Sequence, residues 1–253
     1  SLPGTASLTL NMLDEGTRSR TALEISDETS MLGARLRAGS NLDVSSISMS
    51  ALKENLDGSL DLFADVILNP KFSQADFERI QKRQLVGIRQ EKVRPQSMAL
   101  RIFPKLIYGE NHPYGLPFTG TGTEKSVAKL TTNDLAKFHQ TWFKPNNATL
   151  LVVGDITRKE LEPLLSRKFS DWLPGAVPKQ NLSPVTHRKE EIVYILDRPN
   201  SEQSMIFAGH VAPARDNDSE AANEVMNQVL GGDFMSRINM NLREEKNWSY
   251  GAR

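Results

Sequence analysis

The residues best suited to chemistry lie near the end of the chain. Arg243 stands in the Leu-Arg-Glu run of a helix that is predicted after the Gly231-Gly232 turn, and Tyr250 opens a predicted strand seven residues later. A guanidinium and a phenol held together can bind a peptide carbonyl or a developing oxyanion. The structural alternative places Arg243 over the dipole at a helix C-terminus and Tyr250 in a packed core. The residue types alone favour that alternative.

No other part of the sequence supplies a complete catalytic centre. The four histidines (His112, His139, His187 and His210) are too far apart to form a local zinc motif. The chain has no Gly-x-Ser-x-Gly nucleophile motif and no cysteine, so a thiol–imidazole pair is excluded. Adjacent acidic pairs such as Glu244-Glu245 stand beside basic residues and are typical of solvated faces.

Composition excludes several classes of protein. The chain has 253 residues, with 31 basic and 31 acidic side chains, so its charge gives no basis for binding nucleic acid or anionic lipid. Its 38% hydrophobic and 25% charged residues are typical of a soluble globular protein. No apolar run reaches the roughly 18 residues of a transmembrane segment. The absence of cysteine leaves the compartment open between periplasm and cytoplasm.

The elements that must position these residues form two regions. Residues 1–110 predict helices, one of them capped by Ser73, around a hairpin between Ala34 and Leu52. Residues 111–253 predict helices, one of them capped by Thr131, alternating with strands at 148–155, 191–196 and 204–211. We expect an α+β fold of two similar subdomains, each a mainly antiparallel sheet backed by helices. The opening Ser-Leu-Pro-Gly has no initiator Met, so we expect the first subdomain to be truncated at its start and the second at its end.

A segment rich in Gly and Pro, Tyr108–Gly122, separates the two regions. Repeated glycines are compatible with a phosphate-binding loop, but the segment lacks a Gly-Lys-Ser/Thr sequence and no strand is predicted directly before it. The sequence therefore favours a connecting loop.

Five stretches resemble landmarks of the pitrilysin/insulinase family of zinc metallopeptidases, in the family's order. They are Gly4–Thr17 with the following Arg20–Ile25, then Asp65–Phe72, Asn111–Pro117, Lys144–Asp155 and the closing Gly231–Tyr250. Each stretch is short, but together they span nearly the whole chain. The resemblance implies the fold of one half of such an enzyme, in which two homologous halves close like a clamshell.

The opening helix departs from the family's metal motif. Active members carry His-x-x-Glu-His there and a further glutamate ligand downstream. In this chain Ser7, Leu10 and Asn11 occupy the three motif positions, and the downstream position falls near Gly87. These residues cannot supply two imidazoles, a general base and a third ligand. The resemblance implies that the chain binds no zinc at this site.

Arg243 and Tyr250, in contrast, match the pair that the non-metal half of the family offers to the substrate backbone. The resemblance implies a non-catalytic, substrate-gripping half of a zinc-dependent peptidase that cleaves peptides or unfolded protein segments. Zinc is expected in a homologous metal-bearing domain or subunit, and no cofactor in this chain. Two alternatives are a structural scaffold of the same superfamily and a peptide-binding module without hydrolysis. A scaffold needs neither Arg243 nor Tyr250, so the presence of both argues against it.

Overall fold

The computed structural model describes residues 2–185 and 190–252. These form two compact units, one running to Gly209 and the other beginning at His210. The helices of the first unit are α1 (Thr5–Leu10), α2 (Ala22–Met31), α3 (Leu56–Leu68), α4 (Gln74–Glu91), α5 (Pro95–Tyr108), α6 (Glu124–Val127), α7 (Thr132–Trp142) and α8 (Arg158–Lys168). Short 3-10 turns lie at Lys53–Asn55, Pro113–Gly115 and Pro145–Asn147. The subdomain boundary after residue 110 stays a prediction.

Helix α1 lies between two apolar clusters that form the core of the first unit. Leu8 and Met12 pack with residues of α4 and α7, and Leu10 and Leu13 pack with residues of α2 and α3. The further members of the clusters are Phe77, Ile80, Leu130, Leu135, Ile25, Leu62 and Val66. A helix that is apolar on both sides is buried rather than exposed, and α1 is the central element of this core.

The predicted hairpin is present. Strands β1 (Arg35–Ser40) and β2 (Ser45–Ser50) pair antiparallel, with Arg35 opposite Ser50 and Ser40 opposite Ser45. The side chain of Asn41 accepts hydrogen bonds from the backbone N–H groups of Asp43 and Val44 at 2.8 and 2.7 Å, which closes the turn. One face of the hairpin packs on the cluster around Leu10.

Local capping chemistry sets the helix starts that the sequence predicted. Ser73 accepts a hydrogen bond from the backbone N–H of Asp76 at the start of α4. Thr21, Thr131 and Thr157 form capping boxes at the starts of α2, α7 and α8. Each cap satisfies backbone donors that the first helical turn leaves unpaired.

The strands predicted in the second region are not found. Within the described residues the only sheet is the β1–β2 hairpin, and the segments at 148–155, 191–196 and 204–211 are irregular. Their apolar side chains stay exposed, as at Val153 and Ile195. A strand requires a neighbour for its hydrogen bonds, and none of the described segments pairs with these. The fold is therefore α+β and helix-rich, with a small antiparallel sheet.

The second unit is short and helical. It contains α9 (Glu220–Asn227), a π-helical turn (Gln228–Gly232), α10 (Arg237–Asn239) and a second π-helical turn (Met240–Glu245). The strand predicted at Tyr250 is not present, and the backbone around it is irregular. Across the described residues of both units, no helix has the length and apolar character required to span a bilayer.

Candidate functional site

The positions that the resemblance assigns to the metal motif lie on α1 and at its C-terminal end. Leu10, at the position of the general base, is fully buried in the core. Ser7 and Asn11 are half-buried, and Asn11 donates its backbone N–H to the Ser7 carbonyl at 3.0 Å as the helix ends. Gly87 lies on α4, and a Cβ built there would meet no atom within 4 Å.

This set does not fit a zinc ion. A buried leucine offers no ligand or base, and serine and asparagine are poor substitutes for neutral imidazoles. Gly87 adds no donor on the neighbouring helix. Across residues 2–185 and 190–252, no group of three or more His, Asp or Glu side chains is placed to hold a metal ion. That Ser7, Leu10 and Asn11 are degenerate positions of a metal motif stays a prediction.

The landmark residues around the motif are structural. Thr17 is buried and donates its hydroxyl to Asp65 Oδ2 at 2.6 Å, while Arg20 Nη1 reaches the same oxygen at 2.7 Å. Burial alone would raise the pKa of Asp65, but these hydrogen bonds and others outweigh it and lower the pKa. The network joins the loop after α1 to α3. The landmark stretches that contain Thr17 and Asp65 are therefore in direct contact and stabilise the fold.

The glycines of the connecting segment have a packing role. Gly4 and Gly122 have positive φ angles of 90° and 80°. A Cβ on Gly4 would lie 2.7 Å from the Thr121 carbonyl, and one on Gly122 would lie 2.4 Å from the Pro3 carbonyl. The backbone before α1 and the backbone before α6 therefore approach so closely that only glycine fits. Close packing of the backbone therefore accounts for Gly122 without a phosphate site.

In the second unit the structure brings the predicted pair together. The Arg243 Cζ atom lies 5.1 Å from the centre of the Tyr250 ring and 4.6 Å from that of Phe234. Glu244 Oε1 lies 3.2 Å from Arg243 Nε. The Arg243 side chain is 31% exposed and Tyr250 is 92% exposed. Tyr250 is therefore not in the packed core of the structural alternative, whereas Arg243 does lie in the last turn of a helical segment, as that alternative expects.

A buried asparagine that the sequence did not reveal holds this arrangement. Asn239 is 2% exposed, and its amide nitrogen donates to the Phe234 carbonyl at 2.6 Å. Its amide oxygen accepts from the backbone N–H of Ala252 at 2.9 Å. One side chain thus ties the segment before α10 to the segment that carries Tyr250. A polar residue between Ile238 and Met240 was the available signal in the sequence.

The described histidines act as structural groups. His139 Nε2 lies 2.7 Å from the Ile67 carbonyl, and burial lowers the pKa of its imidazole. His112 Nδ1 accepts from the backbone N–H of Tyr114, and His210 Nδ1 lies 2.9 Å from the Val211 carbonyl. His187 lies outside the described residues. None of the three described imidazoles belongs to a metal cluster.

Comparison with family models decides the relationship. The model of the insulinase family, peptidase family M16, matches residues 1–108, and the model described as the peptidase M16 inactive domain matches residues 129–253. This chain belongs to the pitrilysin/insulinase family. Within that family it resembles the non-catalytic half, which is the relationship expected from the Arg–Tyr pair and the degenerate motif.

Several proteins of the family match nearly the whole chain. An uncharacterised zinc protease of Mycobacterium leprae is 25% identical over 98% of this chain and 56% of its own length. A protein of Helicobacter pylori described as a non-peptidase homolog is 23% identical, again over 98% of this chain and 56% of its own length. The chain thus spans little more than half the length of these relatives.

Solved structures show the same fold. The crystal structure of a peptidase M16 inactive domain from Pseudomonas fluorescens superposes with a TM-score of 0.83 at 27% identity, over 99% of this chain and 60% of that one. A protease from Helicobacter pylori gives a TM-score of 0.78 at 20% identity, over 96% of this chain and 58% of that one. The architecture of the M16 inactive domain is therefore shared by this chain.

Proposed function

We propose that the chain is the non-catalytic, substrate-binding half of a zinc-dependent peptidase. The contact between Arg243 and Tyr250 carries the proposal, because it places an exposed phenol beside a guanidinium in a chain whose metal positions are lost. The metal-bearing half would be a homologous domain of the same protein or a separate subunit, and zinc would reside there. We also propose that the chain has two subdomains, residues 1–110 and residues 111–253.

In this role Arg243 and Tyr250 would hold the peptide backbone. The Nη groups of Arg243 and the hydroxyl of Tyr250 are donors, and no described residue accepts a hydrogen bond from them. Donors that are fixed before substrate arrives stabilise an oxyanion or carbonyl by roughly 2.7–4 kcal/mol when they act in the transition state. The substrates would be peptides or unfolded protein segments, because a pair that grips backbone atoms needs an accessible backbone.

A scaffold or peptide-binding protein of the same superfamily is the second candidate function. It is favoured by the Helicobacter pylori relative, which is a non-peptidase homolog. Such a protein would use the fold without hydrolysis and would not depend on the Arg243–Tyr250 pair. The exposure of Tyr250 argues for the first function, since a purely structural tyrosine is normally packed.

Turnover by the full-length protein with its metal-bearing half separates the two functions. Arg243→Ala and Tyr250→Phe should lower kcat/KM for an unstructured peptide by about 100-fold or more if they act as oxyanion donors. Arg243→Lys should recover little of the kcat/KM lost in Arg243→Ala, because the compact charge of an ammonium group cannot replace the planar, two-pronged guanidinium. The melting temperature should change little in each case.

Arg215→Ala is the matched control. Arg215 lies in the same unit and is exposed, and its ion pairs with Glu220 and Glu224 are surface pairs. This variant should keep normal turnover. If Arg243→Ala and Tyr250→Phe instead lower the melting temperature while the folded fraction retains full activity, the pair is structural and the scaffold function is preferred.

A further inference from the structure

Arg243 contacts two aromatic rings, and only one of them belongs to the predicted pair. Phe234 is the nearer, at 4.6 Å from its centre to Arg243 Cζ, against 5.1 Å for Tyr250. Within the described residues these two rings make no ring contact with each other. The guanidinium therefore lies at two separate rings, each of which attracts its positive charge.

These contacts leave a defined part of the guanidinium for a ligand. The two rings lie within 5.1 Å of Arg243 Cζ, and Glu244 lies at Nε. The two Nη groups remain, and they donate in the plane of the guanidinium. A planar acceptor such as a peptide carbonyl or carboxylate would meet Arg243 along this edge.

The backbone that carries both rings is held by one side chain. Asn239 donates to the carbonyl of Phe234 and accepts from the N–H of Ala252, two residues after Tyr250. Asn239 lies on α10, which leads directly into the turn that carries Arg243. The Phe234 ring is thus fixed to the same small framework as the proposed substrate-binding pair, while remaining 55% exposed.

We propose that Phe234 is a positioning residue of the substrate-binding site, and that it fixes the Arg243 guanidinium so that its Nη edge meets the peptide. The inference rests on the proposed function and adds a third residue to it. Phe234 acts through Arg243 and needs no contact with the substrate. Its effect should therefore appear as weaker peptide binding and should disappear when Arg243 is absent.

The test measures peptide turnover by the full-length protein with its metal-bearing half. Phe234→Leu keeps an apolar side chain but removes the ring, and it should raise KM by about two- to fivefold, the range of an exposed cation–π contact. Phe234→Tyr keeps the ring and should restore the normal KM. Trp248→Leu is the control, because that exposed ring lies over Lys246 instead, at 4.8 Å.

A double-mutant cycle and one spectroscopic measurement complete the test. In an Arg243→Ala background, Phe234→Leu should have no further effect on KM. In NMR spectra, Phe234→Leu should reduce the ring-current shift of the Arg243 side-chain protons, whereas Trp248→Leu should leave it unchanged.

Two results would overturn the inference alone: normal KM in Phe234→Leu while Arg243→Ala impairs turnover, or an equal loss from Phe234→Leu with and without Arg243. If Arg243→Ala leaves turnover unchanged, the proposed function fails and Phe234 loses this role with it. The NMR shift would then still report whether the contact exists in the folded chain.

Discussion

Two regions of the chain carry positions to which the resemblance assigns chemistry, and their surroundings differ. On α1 the position of the general base is Leu10, which is buried in the core. In the second unit Arg243 and Tyr250 stay in contact with each other and open to solvent. A site that no longer needs solvent can be filled by packing, whereas a surface that binds a partner must stay accessible. The difference is what the proposed function, binding without metal chemistry, would require.

The largest effect is expected from a substitution that places a carboxylate at Leu10 of α1. Leu10→Glu would place an unpaired charge in the cluster with Leu13 and Leu62, and we expect it to lower the free energy of unfolding by about 3 kcal/mol or more. Leu10→Met should cost less than about 1.5 kcal/mol. Urea denaturation of both variants is the measurement. A stable, folded Leu10→Glu protein would mean that α1 still has room for a functional glutamate.

A second substitution tests the hydrogen bonds of Asn239 in the second unit. Asn239→Ala would leave the Phe234 carbonyl and the Ala252 N–H without their partner, at a cost of about 0.5–1.5 kcal/mol for each hydrogen bond lost. Asn241→Ala is the control, because Asn241 only reaches the exposed Glu245, and it should stay within about 0.5 kcal/mol of the parent. Thermal unfolding followed by circular dichroism compares the two. Equal stability of both variants would show that the hydrogen bonds of Asn239 do not stabilise the second unit.

The stability of the first unit should depend on pH through His139, whose imidazole is largely removed from solvent. The pKa of His139 is lowered from 6.5, first by burial and then by the nearby charge of Lys144, against the opposing effect of its hydrogen bond to Ile67. The unfolded chain therefore binds a proton at a higher pH than the folded chain does. The stability that neutral His139 contributes is fully present above pH 6.5 and is lost as the pH falls through the lower folded-state pKa.

Denaturation midpoints between pH 8 and pH 5 measure this dependence. His139→Gln should flatten the fall in stability. An identical pH profile in the parent and in His139→Gln would remove His139 as its source. The pKa of Asp65 is lowered from 3.8, so this group titrates below the range and affects both proteins alike.

The sequence predicted features that depend on neighbouring residues and missed those that depend on distant ones. Capping by Ser73 and Thr131 is decided within one helical turn, and the α4 and α7 starts followed from it. The strand predicted around Val153 needed a pairing partner that no local pattern specifies, and it did not form in the described chain.

The candidate site divides in the same way. Arg243 and Tyr250 were found through a resemblance, whereas Asn239 and Phe234 gave no sequence signal of comparable strength. An asparagine on a short helix is typical of an exposed surface, and its burial follows only from the return of the chain at Ala252. Contacts of this kind depend on how the backbone closes on itself.

The central claim is that this chain contributes binding but no metal chemistry, and one experiment tests it directly. The purified chain is dialysed and assayed for bound zinc and for cleavage of an unstructured peptide, alone and together with a half that carries His-x-x-Glu-His. We predict substoichiometric zinc and no cleavage by the chain alone, with chelator-sensitive cleavage only in the presence of the metal-bearing half. One tightly bound zinc per chain together with chelator-sensitive cleavage by the chain alone would contradict the account.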